Sequence, residues 1–516
     1  MLSKNRYGYP IPITFNIMYI NVSPYKSAKR VRIVEEQFRD NKRTLKLIKH
    51  IGTAKNDEEL EILKSIAEKE RLELTKGGQL SFNFGQDPFN SLFTLGFYNH
   101  GAEVIFGGIF DSLGISIGRL TPLLRLLTVA RIIHPGSKRN TADWMQETMG
   151  SGYSLDQIYR FLDVIFKKRK DIESALSDTV IKRYPNALTY LMYDVTTIYF
   201  EIDHEDDENN NALRKRGYSK DHRADMPQIV LGLCVNGLGM PLSHNLYPGH
   251  IYEGKTLIDS IQKTRNKLGN KAVTVVADAG MLSAKNLEAI KENGMHYIIS
   301  ARIKNLKGDL TKKIMTHDFE KEPFLETASR DSRLIVTYSK KRARADKARR
   351  EVAVARLQKL INENKAIRKH RYLEFLGKQQ ARLDLAAIEA DQKFDGLKGY
   401  LTNNFDLPST EVISSYNQLP TVEQSFRMTK SDLKVRPVYH QLAKRIEAHV
   451  ILCMISLCLI RILEQKLKAK EITFYQALKV INHTNSAVIG NKRKSHLIDP
   501  LYTKEFSEIL ECVKET

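Results

Sequence analysis

The sequence predicts an α/β protein built on a mixed β-sheet flanked by helices, with an N-terminal β-plus-helical region and a basic insertion. Three observations lead there. Apolar, β-branched and aromatic runs at "ALTYLMYDVTTIYFE" (187–201) and "PQIVLGLCVNGLGMPLSHNLYPG" (227–249) read as three adjacent antiparallel strands, the last two joined across Asn236-Gly237, a pair favoured in tight hairpin turns. Strands and helices then alternate through "TLIDSIQKTRNKLG", "AVTVVADAGM", "SAKNLEAIKENG" and "HYIISARI". That alternation demands a parallel pairing beside the hairpin strands, with helices on the faces of the sheet. Finally, a one-signed basic stretch interrupts the pattern before "FDGLKGYLTNN" resumes it at residue 394.

Residues 1–80 alternate as strands in "ITFNIMYINVS" and "RTLKLIKHIG" and turn helical through "NDEELEILKSIAEKERLEL", with Asn56 and Glu59 spaced for a capping box. We read this as a small basic β-plus-helix module. Residues 81–185 carry apolar positions at helical spacing in "LTPLLRLLTVARIIH" and "SLDQIYRFLDVIFKKRKDIESAL", and form a helical domain with possible DNA contacts. Its Arg125, Arg131, Lys138 and Arg139 fit either a solvated helix face or a DNA-contacting one. Residues 186–305 and 393–465 make the sheet domain, and 306–392 the basic insertion domain. Within that insertion, seven Lys or Arg stand against Asp346 alone between residues 340 and 350, in a long helix that fits a DNA-binding arm or a solvated face. A helical run extends from "EVISSYNQLPTVEQSF" nearly to 465. The C-terminal region 466–516, basic around "GNKRKSH", shows no clear architecture.

The chain of 516 residues is 42% hydrophobic and 27% charged, which is ordinary for a soluble globular protein and not the composition of a disordered one. Its net charge of +21 points to a polyanionic partner, nucleic acid before a membrane surface. Cys234, Cys453, Cys458 and Cys512 form no metal-ligand spacing. They imply a reducing cytosol and no structural zinc. The N-terminus lacks a secretory pattern, and the apolar run "VILCMISLCLIRIL" is short and holds Arg461, so a soluble, cytoplasmic protein is expected.

Chemistry enters through two aspartates. Asp194 interrupts a strand that otherwise reads as buried, and Asp278 ends a second such strand. An isolated carboxylate taken out of water costs several kcal/mol, and two brought together repel, unless a cation sits between them. Hard oxygen ligands suit Mg²⁺ or Mn²⁺, and two such ions serve in-line displacement at phosphorus. Glu423 in "LPTVEQSFRMTK" offers a third carboxylate, with Arg427 and Lys430 at i+4 and i+7; alone, that stripe also fits a surface ion-pair ladder. In "YSKDHRADMPQ", Tyr218, Lys220, His222 and Arg223 fit contacts to DNA near a scissile phosphate or a polar loop entering a strand. The acidic stretch 203–208 reads as a solvated loop in preference to a metal site.

From about 115 to 465 the chain resembles the DDE transposases of bacterial insertion sequences, in the IS4-like group and its IS1634 branch. The resemblance is carried by "YDVTTIYFE", "RGYSKDHRADMPQIVLGL", "GMPLSHNLYPGHIYEGKTL", "VVADAGMLSAKNL", "FDGLKGYLTNN" and "YNQLPTVEQSFRMTKSDLKVRPVYH", in that order. It implies an RNase H-like sheet whose metal-binding carboxylates are Asp194, Asp278 and Glu423, holding two Mg²⁺ or Mn²⁺ ions. The signature Y-(2)-R-(3)-E-(6)-K falls on Tyr416, Leu419, Glu423 and Lys430, with Leu419 where the arginine would stand. Tyr416, Arg427 and Lys430 would then hold DNA, as would Lys220, His222 and Arg223. The implied function is a transposase that binds the terminal inverted repeats of its own element as double-stranded DNA, cleaves there and joins the end to target DNA, with a homodimer assembled on DNA. A catalytically inactive DNA-binding derivative and a nuclease without strand transfer are the alternatives.

Overall fold

A computed structural model describes residues 18–25, 28–39, 42–74, 93–148, 152–201, 204–206, 212–218, 223, 225–251, 256–269, 273–278, 283–306, 308–329, 331–363, 369–375, 381–435, 438, 440–490 and 495–514. The chain divides into two compact units. One comprises residues 1–175, 429–435 and 439–516, and the other 176–428 and 436–438.

In the first unit, β1 (Met18–Tyr25), β2 (Ala28–Arg39) and β3 (Lys42–Ala54) form an antiparallel sheet in that order. The helix Asp57–Leu74 covers one face, burying Val31, Ala54, Leu60 and Ala67. The expected cap is present: Glu59 N–H donates to Asn56 Oδ1 at 2.8 Å, while Lys55 N–H donates to Glu59 Oε2 at 2.7 Å, so the glutamate reaches one residue farther back than a capping box requires. The middle strand β2 was not singled out in the sequence, where its charges mask its alternation.

The remainder of this unit is helical around Ala443–Leu467, which buries residues on every side. Its apolar window passes by length and composition for a membrane span, yet is 94% buried inside the protein, as a core helix would be. The C-terminal region proves structured. Helices Phe474–His483 and Lys504–Lys514 flank a sheet in which β15 (Ser486–Gly490) pairs with both β16 (Ser495–Ile498) and β4 (Phe93–Tyr98). All four cysteines are buried, and none forms a disulfide.

The second unit is built on an eight-stranded mixed sheet. Its strands are β5 (Tyr190–Tyr199), β6 (Gln228–Val235), β7 (Pro241–Pro248), β8 (Thr274–Ala277), β9 (His296–Ala301), β10 (Phe324–Ser329), β11 (Ser332–Tyr338) and β14 (Leu397–Thr402). Their order is β10-β11-β14-β9-β8-β5-β6-β7. As the sequence requires, β5, β6 and β7 form an antiparallel meander, and β8 runs parallel to both β5 and β9. Strands β6 and β8 are buried along their whole length, which explains why they read as unbroken apolar runs. The β6–β7 connection is longer than a two-residue turn. Asn236 Oδ1 accepts from Leu238 and Met240 N–H, and Gly239 (φ +76°) takes a left-handed conformation in the turn.

Strands β10 and β11 lie within residues 306–392 and extend the same sheet beyond β14. The long basic helix is present as Lys340–Asn362, and a small hairpin of β12 (Leu373–Phe375) and β13 (Ala381–Leu383) follows it. The continuous helix expected up to 465 is broken instead. It forms Ser409–Asn417, Pro420–Arg427 and a π-helical turn Met428–Asp432 before Ala443–Leu467 begins. Pro420 explains the first break, since a proline at a first helical position starts a helix more readily than it continues one.

Candidate active site

The site is assembled by strand register. Residues 190, 191 and 192 of β5 pair with 274, 275 and 276 of β8, and carrying that register two residues on sets Asp194 level with Asp278. Parallel neighbours in register point to the same face, and their strands lie about 4.8 Å apart. On the next strand, β8 and β9 pair 277 with 299, so Ser300 follows in the same row, and Ser300 is paired with Tyr400 of β14. One face of the sheet therefore carries Asp194, Asp278, Ser300 and Tyr400 across four neighbouring strands. Asp194 is half-buried and Asp278, just past the end of β8, is exposed. The intervening Tyr193 points to the opposite face, where its hydroxyl donates to Thr256 Oγ1 at 2.8 Å.

The helix Ser409–Asn417 packs against β8, β9 and β14 and places Tyr416 over this row. The Tyr416 ring meets Tyr400 edge-on with centroids 5.4 Å apart. Burial raises its phenol pKa, and the charges of Asp278 and Glu423 act in the same direction against a hydrogen bond with Ser300. Tyr416 thus feels both carboxylates at once. The base of this helix is tied to β5, where Tyr190 donates to Glu411 at 2.5 Å and its own pKa is pushed up to about 12, chiefly by burial. The next helix, Pro420–Arg427, packs on β5 through buried Val422, Ser425 and Phe426, and Ser425 donates to the Gly239 carbonyl at 3.0 Å. Its exposed side carries Glu423 and Arg427 one turn apart, as expected from their spacing.

Hard carboxylate donors on neighbouring strands suit a divalent cation, and Asp194 with Asp278 fit one. Among the described residues, no three His, Cys, Asp or Glu side chains gather closely enough to hold one ion together. The register of β5 and β8, carried on, sets Asp194 level with Asp278, and Glu423 lies within electrostatic reach of Tyr416. Lys430 lies in the π-helical turn, where the chain has passed into the other unit. Arg223 is half-buried, with its guanidinium bonded twice to Asp225 at 3.1 and 3.2 Å and lying 5.3 Å from the Tyr199 ring centre. Tyr218 is exposed; Lys220 and His222 lie outside the described residues.

A cleft of about 640 Å³ adjoins the row, sharing Ser300 and Tyr416 with it and lined further by Arg302, Arg342, His370 and Lys398. Lys398 Nζ lies 5.0 and 4.5 Å from the ring centres of Tyr400 and Tyr416. Burial lowers its pKa, and repulsion from Arg342 adds to this. Sequence reasoning passed over Lys398, Tyr400 and Ser300. The signal was present in "FDGLKGYLTNN", where Lys398 and Tyr400 alternate onto one face of a strand.

Two expectations about charge are overturned. Asp206, assigned to a solvated loop, is largely buried and clamps that loop, accepting from the N–H groups of Leu213 and Arg214 at 3.2 and 2.9 Å and pairing with the Arg214 side chain. Three of the four helical-domain cations are neither solvated nor placed for DNA. Arg125 pairs with Glu103 at 2.7 Å and Asp111 at 3.0 Å, Arg131 donates to the Gly136 carbonyl at 3.0 Å, and Lys138 lies 3.4 Å from His449 Nδ1, all three buried. Arg139 alone is exposed.

No curated protein matches the chain. Among solved structures it is similar to a piggyBac transposase in a synaptic complex with hairpin DNA, at 8% identity over 81% of each chain with a TM-score of 0.35. It is also similar to Mos1 transposase in a paired-end complex with the left transposon end, at 8% identity over 46% of this chain and 66% of that one with a TM-score of 0.16. A family model described as the transposase DDE domain matches residues 193–459. That span takes in Asp194, Asp278, Tyr416 and Glu423 and covers more than half of the sequence, and on it the chain belongs to the DDE transposase family.

Proposed function

We propose that this transposase belongs to the IS4-like group, in its IS1634 branch, and acts on the terminal inverted repeats of its own element. It hydrolyses a phosphodiester there and joins the freed 3′ hydroxyl to target DNA. The observation that carries the reading is the parallel register of β5 with β8, which extended by two residues sets Asp194 level with Asp278, together with Tyr416 under the influence of both Asp278 and Glu423. The meander followed by parallel strands supports an RNase H-like sheet with residues 306–392 inserted into it. The remaining proposed boundaries are a β-plus-helix module to residue 80, a helical domain to 185 and a C-terminal region from 466.

Asp194 and Asp278 would hold Mg²⁺ or Mn²⁺, and Glu423 would add the third carboxylate for a second ion. When bound, such ions supply an activated oxygen nucleophile and stabilise the leaving oxygen. The protein's own part is to orient the DNA. Tyr416 is held rigid by burial and by Tyr400, Arg427 stands one turn from Glu423, and Lys398 and Arg342 present positive charge in the adjoining cleft. Lys430, Arg223, Lys220 and His222 would add phosphate contacts. Work on two DNA ends calls for a homodimer assembled on DNA, in the cytoplasm.

Cleavage of terminal-repeat duplex in Mg²⁺ tests the reading. Asp194→Asn, Asp278→Asn and Glu423→Gln are each expected to abolish cleavage while binding of the end stays within about twofold of wild type. A variant that cleaves at near-normal rate removes its residue from the site. Strand-transfer products from a 3′-hydroxyl end separate a transposase from a nuclease that only cuts.

A further inference from the structure

The helix Asp57–Leu74 covers one face of the β1–β3 sheet, and the charge of the helix is opposite to that of the strands beneath it. Strands β2 and β3 hold eight Lys and Arg against two Glu, whereas the helix holds seven Asp and Glu against three Lys and Arg. Cations that point toward the helix meet its acids: Lys29 pairs with Asp57 at 3.0 Å and Lys49 with Glu70 at 2.9 Å. Alternation sends Arg30 and Arg32 to the open face, where no carboxylate meets them among the described residues. The Arg30 guanidinium instead lies 3.4 Å from the Tyr25 ring centre. Arg32 donates from Nη2 to Asn21 Oδ1 at 3.2 Å and Ser23 Oγ at 2.9 Å, and its buried Nε finds no partner. Both guanidiniums are held by neutral neighbours. Exposed His50 and Thr53 stand beside them, paired in register with Arg32 and Arg30, and exposed Leu47 continues the same face.

We infer that this open face reads double-stranded DNA in the major groove, at the ends the enzyme recognises; the inference rests on the transposase reading above. The dimensions agree. Residues two apart on a strand are about 6.7 Å apart, which equals two base-pair rises of about 3.4 Å, so Arg30 and Arg32 would address bases two steps apart. Three strands span roughly 10 Å between outer backbones, and the major groove is about 12 Å wide. An arginine fork bonds the O6 and N7 of guanine, and Leu47 suits a thymine methyl. The acidic helix on the far side fixes which face turns to the DNA, since it would repel phosphates.

The test uses the full chain in chelator, so that nothing is cleaved, with fluorescence anisotropy on a terminal-repeat duplex and a scrambled duplex across a salt series. Arg30→Lys with Arg32→Lys keeps the charge but removes the fork. It should retain the salt slope and lose discrimination roughly ten- to hundredfold for each arginine that meets a guanine. Arg30→Ala with Arg32→Ala should also lower the slope by about 0.9 for each phosphate left without its cation. Unchanged thermal melting of the lysine variant guards against misfolding. A lysine variant that discriminates like wild type overturns the inference while leaving the transposase reading intact. Wild-type protein that neither prefers nor, with Mg²⁺, cleaves its own ends overturns that reading and the inference with it.

Discussion

In "LTPLLRLLTVARIIH" two arginines break a helical apolar run, and in "YLMYDVTTIYF" one aspartate breaks a strand. Both look like charges in the wrong place. Arg125 ends up buried with its charge matched by Glu103 and Asp111, and Arg131 ends up buried with its guanidinium donating to a backbone carbonyl. Asp194 ends up half-buried, and the register of its strand sets it level with a second carboxylate. A matched charge serves the fold, whereas two like charges set side by side cost stability and suit a binding site for cations. The two runs should therefore respond oppositely to neutral substitution.

The largest effect on stability is expected at Arg125. Arg125→Met leaves Glu103 buried without its cation, and removal of one partner from a buried pair costs about 3–5 kcal/mol. Gly107→Ala should approach this loss, because a Cβ there would collide with Arg125 Nη2. Denaturant unfolding measures both. Asp194→Asn and Asp278→Asn, each of which removes one of two like charges, should unfold no earlier than wild type. A loss above about 1 kcal/mol in either aspartate variant, or a loss below that in Arg125→Met, would erase the distinction.

The same contrast shows what could be read from sequence. Strand runs, the parallel pairing and the stripe of Glu423 and Arg427 were legible because periodicity of two and of 3.6 residues is local. The level placement of Asp194 with Asp278 depends on register between strands eighty-four residues apart, which no local pattern encodes. Arg125 was misread for a related reason. Its partner Glu103 lies in a π-helical turn, Glu103–Gly107, and a buried ion pair is invisible until both halves are placed. Strands β10 and β11 were hidden by the conspicuous charge of the helix that follows them.

A smaller, pH-dependent effect should come from the interior of the first unit. Burial, aided by the nearby Lys138, Arg131 and Arg445 cations, pulls His440 down to about 3, and burial holds His449 well below its ordinary value. Above about pH 6.5 both are neutral, folded or unfolded. As pH falls below that, the unfolded chain takes up protons that the folded chain refuses, so stability declines, by about 1.4 kcal/mol per pH unit for each histidine. Melting followed from pH 7 to pH 4 should show this decline, and His440→Phe, which fits beside Tyr159, should flatten it. An unchanged slope in that variant would mean that His440 gains its proton in the folded state.

The smallest effect is expected in the helix Lys340–Asn362, where both fates of charge occur within one element. Arg350 is buried and bonds Asp395 twice, at 2.5 and 2.6 Å, so it belongs with Arg125. Lys341, Arg344 and Lys347 are exposed, and the ion pair of Lys347 with Glu351, at 3.9 Å, is one of the surface kind that contributes little. Neutralising these three to Gln should leave unfolding unchanged. If they meet DNA, binding should weaken modestly and the slope of log affinity against log salt should fall by about 0.9 for each phosphate they neutralise. Arg350→Gln should do the reverse, lowering stability with no change in slope beyond that caused by unfolding. A salt slope unmoved by the triple variant would return this face of the helix to solvent and leave the open sheet of β1–β3 and the cleft at Lys398 as the basic surfaces to test.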